Sequence, residues 1–365
     1  MAGSTLGTIF KITTWGESHG RGIGVVIDGC PAGLALKEED IQIYLNRRKP
    51  GQSQYSTPRK EEDSVEILSG VFGGRTTGCP ISLMVFNENQ ISRDYSEIAG
   101  YYRPGHADFT FDEKYGFRDY RGGGRSSGRE TIGRVAAGAV ASKLLKELGI
   151  TVTAYTKSIG PVTIQSFDPE AVYSNPLYMP DADAAKQAQN YLNDCMRNQD
   201  SSGGIIECQI SGMPTGIGDP VFEKLDANLA KAILSIGAVK GFEIGEGFAA
   251  AALRGSINND SFYYDDGGNI KKRTNHSGGV LGGISDGADI IFRAAIKPTP
   301  SVSSQQSTVN KSGEDITVSI KGRHDPVIVP RAVVVVESMA ALTVLDGLLL
   351  NMTATVQGIH DFYHK

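Results

Sequence analysis

The chain has 365 residues, of which 40% are hydrophobic and 21% charged, and its formal net charge of −5 argues against a nucleic-acid or anionic-membrane partner. Four scattered cysteines, Cys30, Cys79, Cys195 and Cys208, form no C-x-x-C pair, which argues against zinc and a disulfide scaffold and for a reducing cytoplasm. Residues 1–10 lack the basic and apolar regions of a signal peptide, and no apolar run is expected to reach the length of a membrane span.

In chain order, residues 38–45 predict a short helix, followed by a basic loop with Arg47, Arg48 and Lys49, then Arg59 and Lys60. Residues 65–71 and 80–86 alternate apolar and polar positions, as half-buried strands do. Ile132, Val135, Ala139, Val140 and Leu144 recur at helical spacing, and Gly149 ends that helix. Residues 160–183, rich in Pro, Ser and Asp, read as a long connection leading into a helix near 184–197. A strand is expected over 205–210. Phe222, Leu225, Leu229, Ile233 and Ile236 mark a second amphipathic helix. Residues 258–273 read as an exposed polar loop, 290–296 and 316–320 as strands, and 331–352 as an apolar run with helix in its later part. No composition shift marks an independent second domain.

The chemistry concentrates in residues 121–131, R-G-G-G-R-S-S-G-R-E-T. Glycines admit a ligand close to the backbone. Ser127 with Glu130 three residues later fits a capping box, so a helix is expected to start there, and helix starts suit phosphate. Arg125, Ser126, Ser127 and Arg129 beside such a start read as an anion clamp. Four of six histidines, His19, His106, His276 and His324, lie in polar turns rich in Gly, Pro or Asp. One such histidine is more often an ordinary surface or core residue; four in similar settings point to proton transfer. His360 and His364 read as ordinary tail residues. Positive charge recurs among small residues, at Arg47–Lys49, Arg103, Lys297 and Arg323, which suits several anionic groups. Asp325, between His324 and Pro326, reads either as a turn starter or as a carboxylate beside a proton-transfer centre; Glu17 reads as a cap or as a partner of His19. No metal spacing, Walker A loop or G-x-G-x-x-G after a strand is present.

These segments together resemble the chorismate synthase family, from the first residues to about Leu350. The likeness is carried by residues 16–31 (G-E-S-H-G-R-G-I-G-V-V-I-D-G-C-P), 103–108 (R-P-G-H-A-D), 121–134, 277–285 (S-G-G-V-L-G-G-I-S) and 323–326 (R-H-D-P) with Glu337. The resemblance implies an α+β fold, a β-α-α-β sandwich of two similar halves in one domain, distinct from Rossmann and P-loop folds. It implies a cytoplasmic homotetramer that eliminates phosphate from 5-enolpyruvylshikimate 3-phosphate to give chorismate, with reduced FMN required and no net redox change. NADPH then enters only as an indirect reductant. No room remains for an appended reductase, so an external source of reduced flavin is expected.

Carried over by position, the resemblance makes His19 the acid for the departing phosphate, puts His106 beside the flavin near N1, and has Asp325 support proton removal at flavin N5. Arg125, Ser126, Ser127, Gly237, Ala238, Gly282, Lys297, Pro298, Thr299, Pro300, Ser301 and Arg323 become flavin-binding candidates. Arg48, Arg129 and Arg134 become candidates for substrate anions, Arg48 also for nicotinamide nucleotide. Two positions depart from the family pattern: Gln54 stands for arginine in G-x-S-R-Y, and Gly237 for asparagine in S-I-N-A-V. The rival readings are a non-catalytic binder of phosphorylated ligands and a flavin oxidoreductase with net hydride transfer.

Overall fold

A computed structural model of the chain describes residues 3–57, 61–87, 97–320 and 325–364. Two five-stranded antiparallel sheets form its outer layers. The first runs, in spatial order, Thr5–Leu6, Lys11–Gly16, Gly22–Asp28, Ile81–Phe86 and Val65–Ile67; the second runs Val239–Ile244, Ile290–Ile296, Gly204–Ser211, Thr151–Ile159 and Val162–Thr163. Each strand turns alternate side chains inward: Ile81, Leu83 and Val85 in the first sheet, Ile206, Cys208 and Ile210 in the second. Burying each such side chain contributes about 1.5–3 kcal/mol.

Between the sheets lie helices Glu38–Arg48 and Thr131–Glu147, facing the first sheet, and Leu225–Leu234 and Val329–Asn351, facing the second. This is the β-α-α-β sandwich. Its central crossing is between Thr131–Glu147 and Val329–Asn351, where the absence of a side chain at Gly138 lets the helices close: a Cβ there would lie 2.2 Å from that of Ser338. The Glu38–Arg48 helix has Glu38, Glu39 and Asp40 in its first turn and Arg47 and Arg48 in its last, complementing its dipole and delivering both arginines to the loop that follows.

Several sequence expectations are corrected. Val329–Asn351 is helical throughout, and it is long and apolar enough to cross a bilayer, against the expectation that no run reaches that length. Its position explains this: a helix mostly buried in the middle of a sandwich needs little polar face. The stretch 258–273 contains a hairpin, Phe262–Tyr264 with Ile270–Lys272, because Asp265 Oδ1 accepts from the backbone N–H groups of Gly267 and Asn269 and closes the turn. Phe222 lies outside the Leu225–Leu234 helix and is exposed. The strand expected over 65–71 ends at Ile67, and Val71–Phe72 begins a separate hairpin with Arg75–Thr76.

Candidate active site

The strands Lys11–Gly16 and Gly22–Asp28 are joined by the turn that carries Glu17, Ser18 and His19. Asn87 fixes this turn from the end of the neighbouring strand. Its Nδ2 donates to the carbonyls of Glu17 at 2.9 Å and Gly20 at 2.8 Å. His19 is buried, and its Nδ1 lies 3.2 Å from Ser18 Oγ, whose hydroxyl donates to the Gly122 carbonyl at 3.2 Å. Gly122 has φ +65°, and a Cβ on it would come within 2.3 Å of His19 Cε1 and 2.4 Å of Nδ1. Both backbone and space therefore demand glycine.

Asn87 also joins this turn to a buried charge cluster, since its Oδ1 accepts from Arg129 Nε at 2.8 Å. Arg129 Nη1 faces Asp63 Oδ1 at 3.1 Å and Glu61 Oε1 at 3.7 Å. Among the described residues, neither terminal nitrogen of Arg129 makes a hydrogen bond. The other oxygen of Asp63 accepts from Arg48 Nη1 at 2.8 Å, and Arg48 Nε reaches Thr131 Oγ1 at 3.2 Å. Arg48 is only 2% exposed. Burial pulls its guanidinium below the usual arginine range, Asp63 pulls it back up, and Arg331 and Arg129 add to the fall. From Arg48 the network continues: Arg331 Nε donates to the Arg48 carbonyl at 3.1 Å and Nη1 to Asp325 Oδ2 at 2.6 Å, while the Thr57 N–H donates to Asp325 Oδ1 at 2.7 Å.

The third group is built around His106. Its loop packs on residues 297–301, with Lys297 Nζ donating to the Gly105 carbonyl at 2.7 Å and Ser301 Oγ 2.8 Å from His106 Nε2. This segment is tied to the Asp325 end of the network: Ser201 Oγ donates to the Thr299 carbonyl at 2.7 Å, and the next residue, Ser202, donates its N–H to the Pro326 carbonyl at 2.9 Å. The Lys297 N–H donates to the Ala238 carbonyl at 2.9 Å, which brings in Gly237 and Ala238. Clefts of about 370 Å³, beside Trp15 and Arg125, and about 300 Å³, between Tyr55, Tyr173 and Arg331, open next to these groups.

Comparison with known proteins decides the family. A sequence model of the family described as chorismate synthase matches residues 10–349. The chain belongs to the chorismate synthase family. It is 70% identical over 367 residues to the chorismate synthase of Agathobacter rectalis, covering 100% of both chains. To the chorismate synthase of Synechocystis sp. it is 53% identical over 352 residues, covering 95% of this chain and 97% of the other. A solved chorismate synthase crystal structure superposes with a TM-score of 0.78 at 31% identity, covering 98% and 97% of the two chains. Like other chorismate synthases, the chain is a carbon–oxygen lyase of aromatic amino-acid biosynthesis.

Within this lyase the remaining site expectations fall as follows. Arg125 binds the first sheet, donating to Gly16 O, Thr14 O and Thr14 Oγ1 at 3.1, 3.2 and 2.7 Å. Ser126 Oγ donates to the Gly123 carbonyl at 2.7 Å. Ser127 caps a short 3-10 turn, Gly128–Glu130, that precedes the α-helix, by accepting from Arg129 N. The expected capping box is not formed: Glu130 instead accepts from Thr14 Oγ1 at 3.0 Å and Arg134 Nε at 2.8 Å, so its carboxylate is taken by the first sheet and by an arginine one turn on. Arg134 Nη1 also reaches Ser235 Oγ at 2.6 Å, next to Gly237. Gly282 sits in the turn of the Val280–Leu281 and Ile284–Ser285 hairpin, with open space where a Cβ would lie. Arg323 and His324 lie outside the described residues. Arg47 is paired bidentately with Glu337 at 2.9 and 2.8 Å, Arg103 with Asp108 at 2.8 and 2.8 Å, and His276 Nδ1 lies 2.8 Å from Glu246, so these brace the fold. Sequence reasoning passed over Asp63, Asn87, Ser18 and Arg331. Only Asp63 left a signal, as an acidic neighbour of the basic loop.

Proposed function

We propose that this chain converts 5-enolpyruvylshikimate 3-phosphate to chorismate by 1,4-trans elimination of phosphate, with reduced FMN bound. The observation that carries this reading is Arg129: a buried guanidinium whose terminal nitrogens, facing Asp63 and Glu61, make no hydrogen bond among the described residues, tied through Asn87 to the turn of His19. A buried guanidinium in that state favours an anion. Arg129, with Arg48 sharing Asp63 beside it and Arg134 on the following helix, holds the substrate's anionic groups. His19 gives a proton to the departing phosphate oxygen, so the C–O electron pair leaves on a neutralised group. Ser18 and the Gly122 carbonyl orient that ring. Asp325, held on one oxygen by Thr57 and on the other by Arg331, keeps a carboxylate on the side where the ring proton is lost. The C–H electrons form one π bond, the existing ring π bond shifts to the carbon that loses phosphate, the C–O pair leaves with the phosphate and the ring proton departs on the Asp325 side, so the elimination balances without net oxidation.

Features of Thr299, Gly237 and Ala238 support the flavin part of this reading. Thr299 Oγ1 is buried without a hydrogen-bond partner among the described residues, space is open around the Cα of Gly237, and Ala238 adopts φ +73°. Residues 297–301, Gly237, Ala238, Gly282, Arg125, Ser126, Ser127 and Arg323 are the ones that would hold it. When bound, reduced FMN supplies an electron-rich ring system that eases loss of the leaving group and is regenerated. An external reductant supplies the reduced flavin, NADPH acting only indirectly, and the working form is a cytoplasmic homotetramer in which each chain acts as one unit of two similar halves.

The test is anaerobic incubation of the protein with reduced FMN and the phosphorylated ester, following chorismate. Product formation that drops about 10- to 10⁴-fold in His19→Ala is expected. Folded protein that binds FMN yet makes no chorismate would refute the proposal.

A further inference from the structure

Both ring nitrogens of His106 are engaged. Nδ1 lies 3.0 Å from the Pro104 carbonyl, which only accepts, so Nδ1 carries a hydrogen. On a neutral ring Nε2 then offers a lone pair, and the partner 2.8 Å away, Ser301 Oγ, donates to it. The setting opposes a second ring proton. Burial is the largest influence, Arg103 in the same loop and Lys297 on the facing segment add positive charge, and together they push the imidazole down to about 4. Asp108, the carboxylate facing from the adjoining helix, pulls upward but is occupied by its bidentate contact with Arg103. The two segments cannot drift apart easily. Lys297 Nζ holds the Gly105 carbonyl, and Gly105, at φ +70°, lies so close to Pro300 that a Cβ would come within 2.8 Å of the proline Cβ. Ser301 itself is buried.

We infer that Ser301 is a positioning residue which, with the Pro104 carbonyl, holds His106 as the neutral Nδ1–H tautomer, with the Nε2 lone pair taken by the Ser301 hydroxyl. The ring's one N–H is turned into the backbone. His106 therefore polarises the Ser301 hydroxyl. The inference rests on the reading that His106 acts at the cofactor edge, but the tautomer is measurable without it.

Solid-state nitrogen-15 NMR of the full-length, histidine-labelled protein, with His106→Asn for assignment, reads both nitrogens directly in the absence of FMN. At pH 7 a protonated Nδ1 and a bare Nε2 are expected, unchanged down to pH 5.5. Ser301→Ala removes the donor and admits water, so Nε2–H ring signal appears and the titration midpoint rises toward the ordinary 6.5; Ser301→Thr restores the wild-type pattern. Should the alanine variant not fold, Ser301→Cys, a weaker donor, carries the same comparison. An Nε2–H ring in the wild type, or wild-type tautomer and midpoint in the variant without the hydroxyl, would overturn the inference. Full elimination turnover in His106→Asn with the expected tautomer intact would instead remove the catalytic reading and leave the tautomer assignment standing.

Discussion

Removing the Asp63 carboxylate exposes how the anion cluster is held. Its side chain is fully buried between Arg48 Nη1 at 2.8 Å and Arg129 Nη1 at 3.1 Å, and those two side chains are 2% and 6% exposed. In Asp63→Ala two buried guanidiniums face each other with no carboxylate between them. Breaking a buried pair from one side costs about 3–5 kcal/mol, chiefly through the charge left behind. Given the unfolding entropy of a chain this long, that corresponds to a fall in Tm of roughly 4–6 °C. The same vacancy creates an anion site. Millimolar inorganic phosphate should raise the Tm of Asp63→Ala by several degrees more than it raises that of the wild type. Differential scanning fluorimetry in phosphate and in a non-coordinating buffer reads both effects. A variant melting within a degree of wild type, with no added response to phosphate, would show that Asp63 does not neutralise these arginines.

Gly122→Ala drives a methyl group into His19 and should cut chorismate formation by about 10²-fold or more with the circular dichroism spectrum unchanged, since the clash is confined to the ring; unimpaired turnover would refute the contact. Lys272→Met leaves Asp260 and Asp286 without the buried ammonium that sits 3.2 and 2.6 Å from them, and should lower stability by about 3–5 kcal/mol in urea titration while exposing the Phe262–Tyr264 hairpin to limited proteolysis. Gly138→Ala forces apart the two central helices at Ser338 and should cost at least about 1–3 kcal/mol; a neutral effect would mean the crossing is loosely packed. His106 contributes a pH dependence of known sign. Its folded value of about 4 lies below the ordinary 6.5, so between these limits the unfolded chain binds a proton that the native one does not. Stability from this group is present above pH 6.5 and lost as pH falls toward 4, by on the order of 2–3 kcal/mol. His106→Asn should flatten that part of the urea-midpoint profile, and equal slopes in both proteins would contradict it.

What could be read in the sequence was local. The body of the helix after residue 131, the strand over 290–296 and the turns of His19 and His106 are set by short-range patterning and punctuation and are where expected, although that helix starts at Thr131 and not at the Ser127 cap. Pairings across long separations left no trace: Arg47 meets Glu337 290 residues away, and Thr57 meets Asp325 268 residues away. The early part of Val329–Asn351 misled for a different reason. Val333 to Val336 is a β-branched run that local propensity assigns to a strand, and burial between two sheets overrides it. Asp63 and Asn87 were passed over because acidic and amide side chains at the end of a loop or strand ordinarily face water.

The arginines of this cluster are paired with carboxylates of the chain itself: Asp63 for Arg48, Asp63 and Glu61 for Arg129, Glu130 for Arg134. Capture of an anion is therefore an exchange, in which the newcomer competes with resident carboxylates. A singly charged competitor gains little by such a trade, whereas a phosphate dianion brings more charge than the carboxylate it displaces. If these arginines hold the substrate as proposed, the arrangement would sort anions by valence before shape is consulted and would disfavour abundant monocarboxylates.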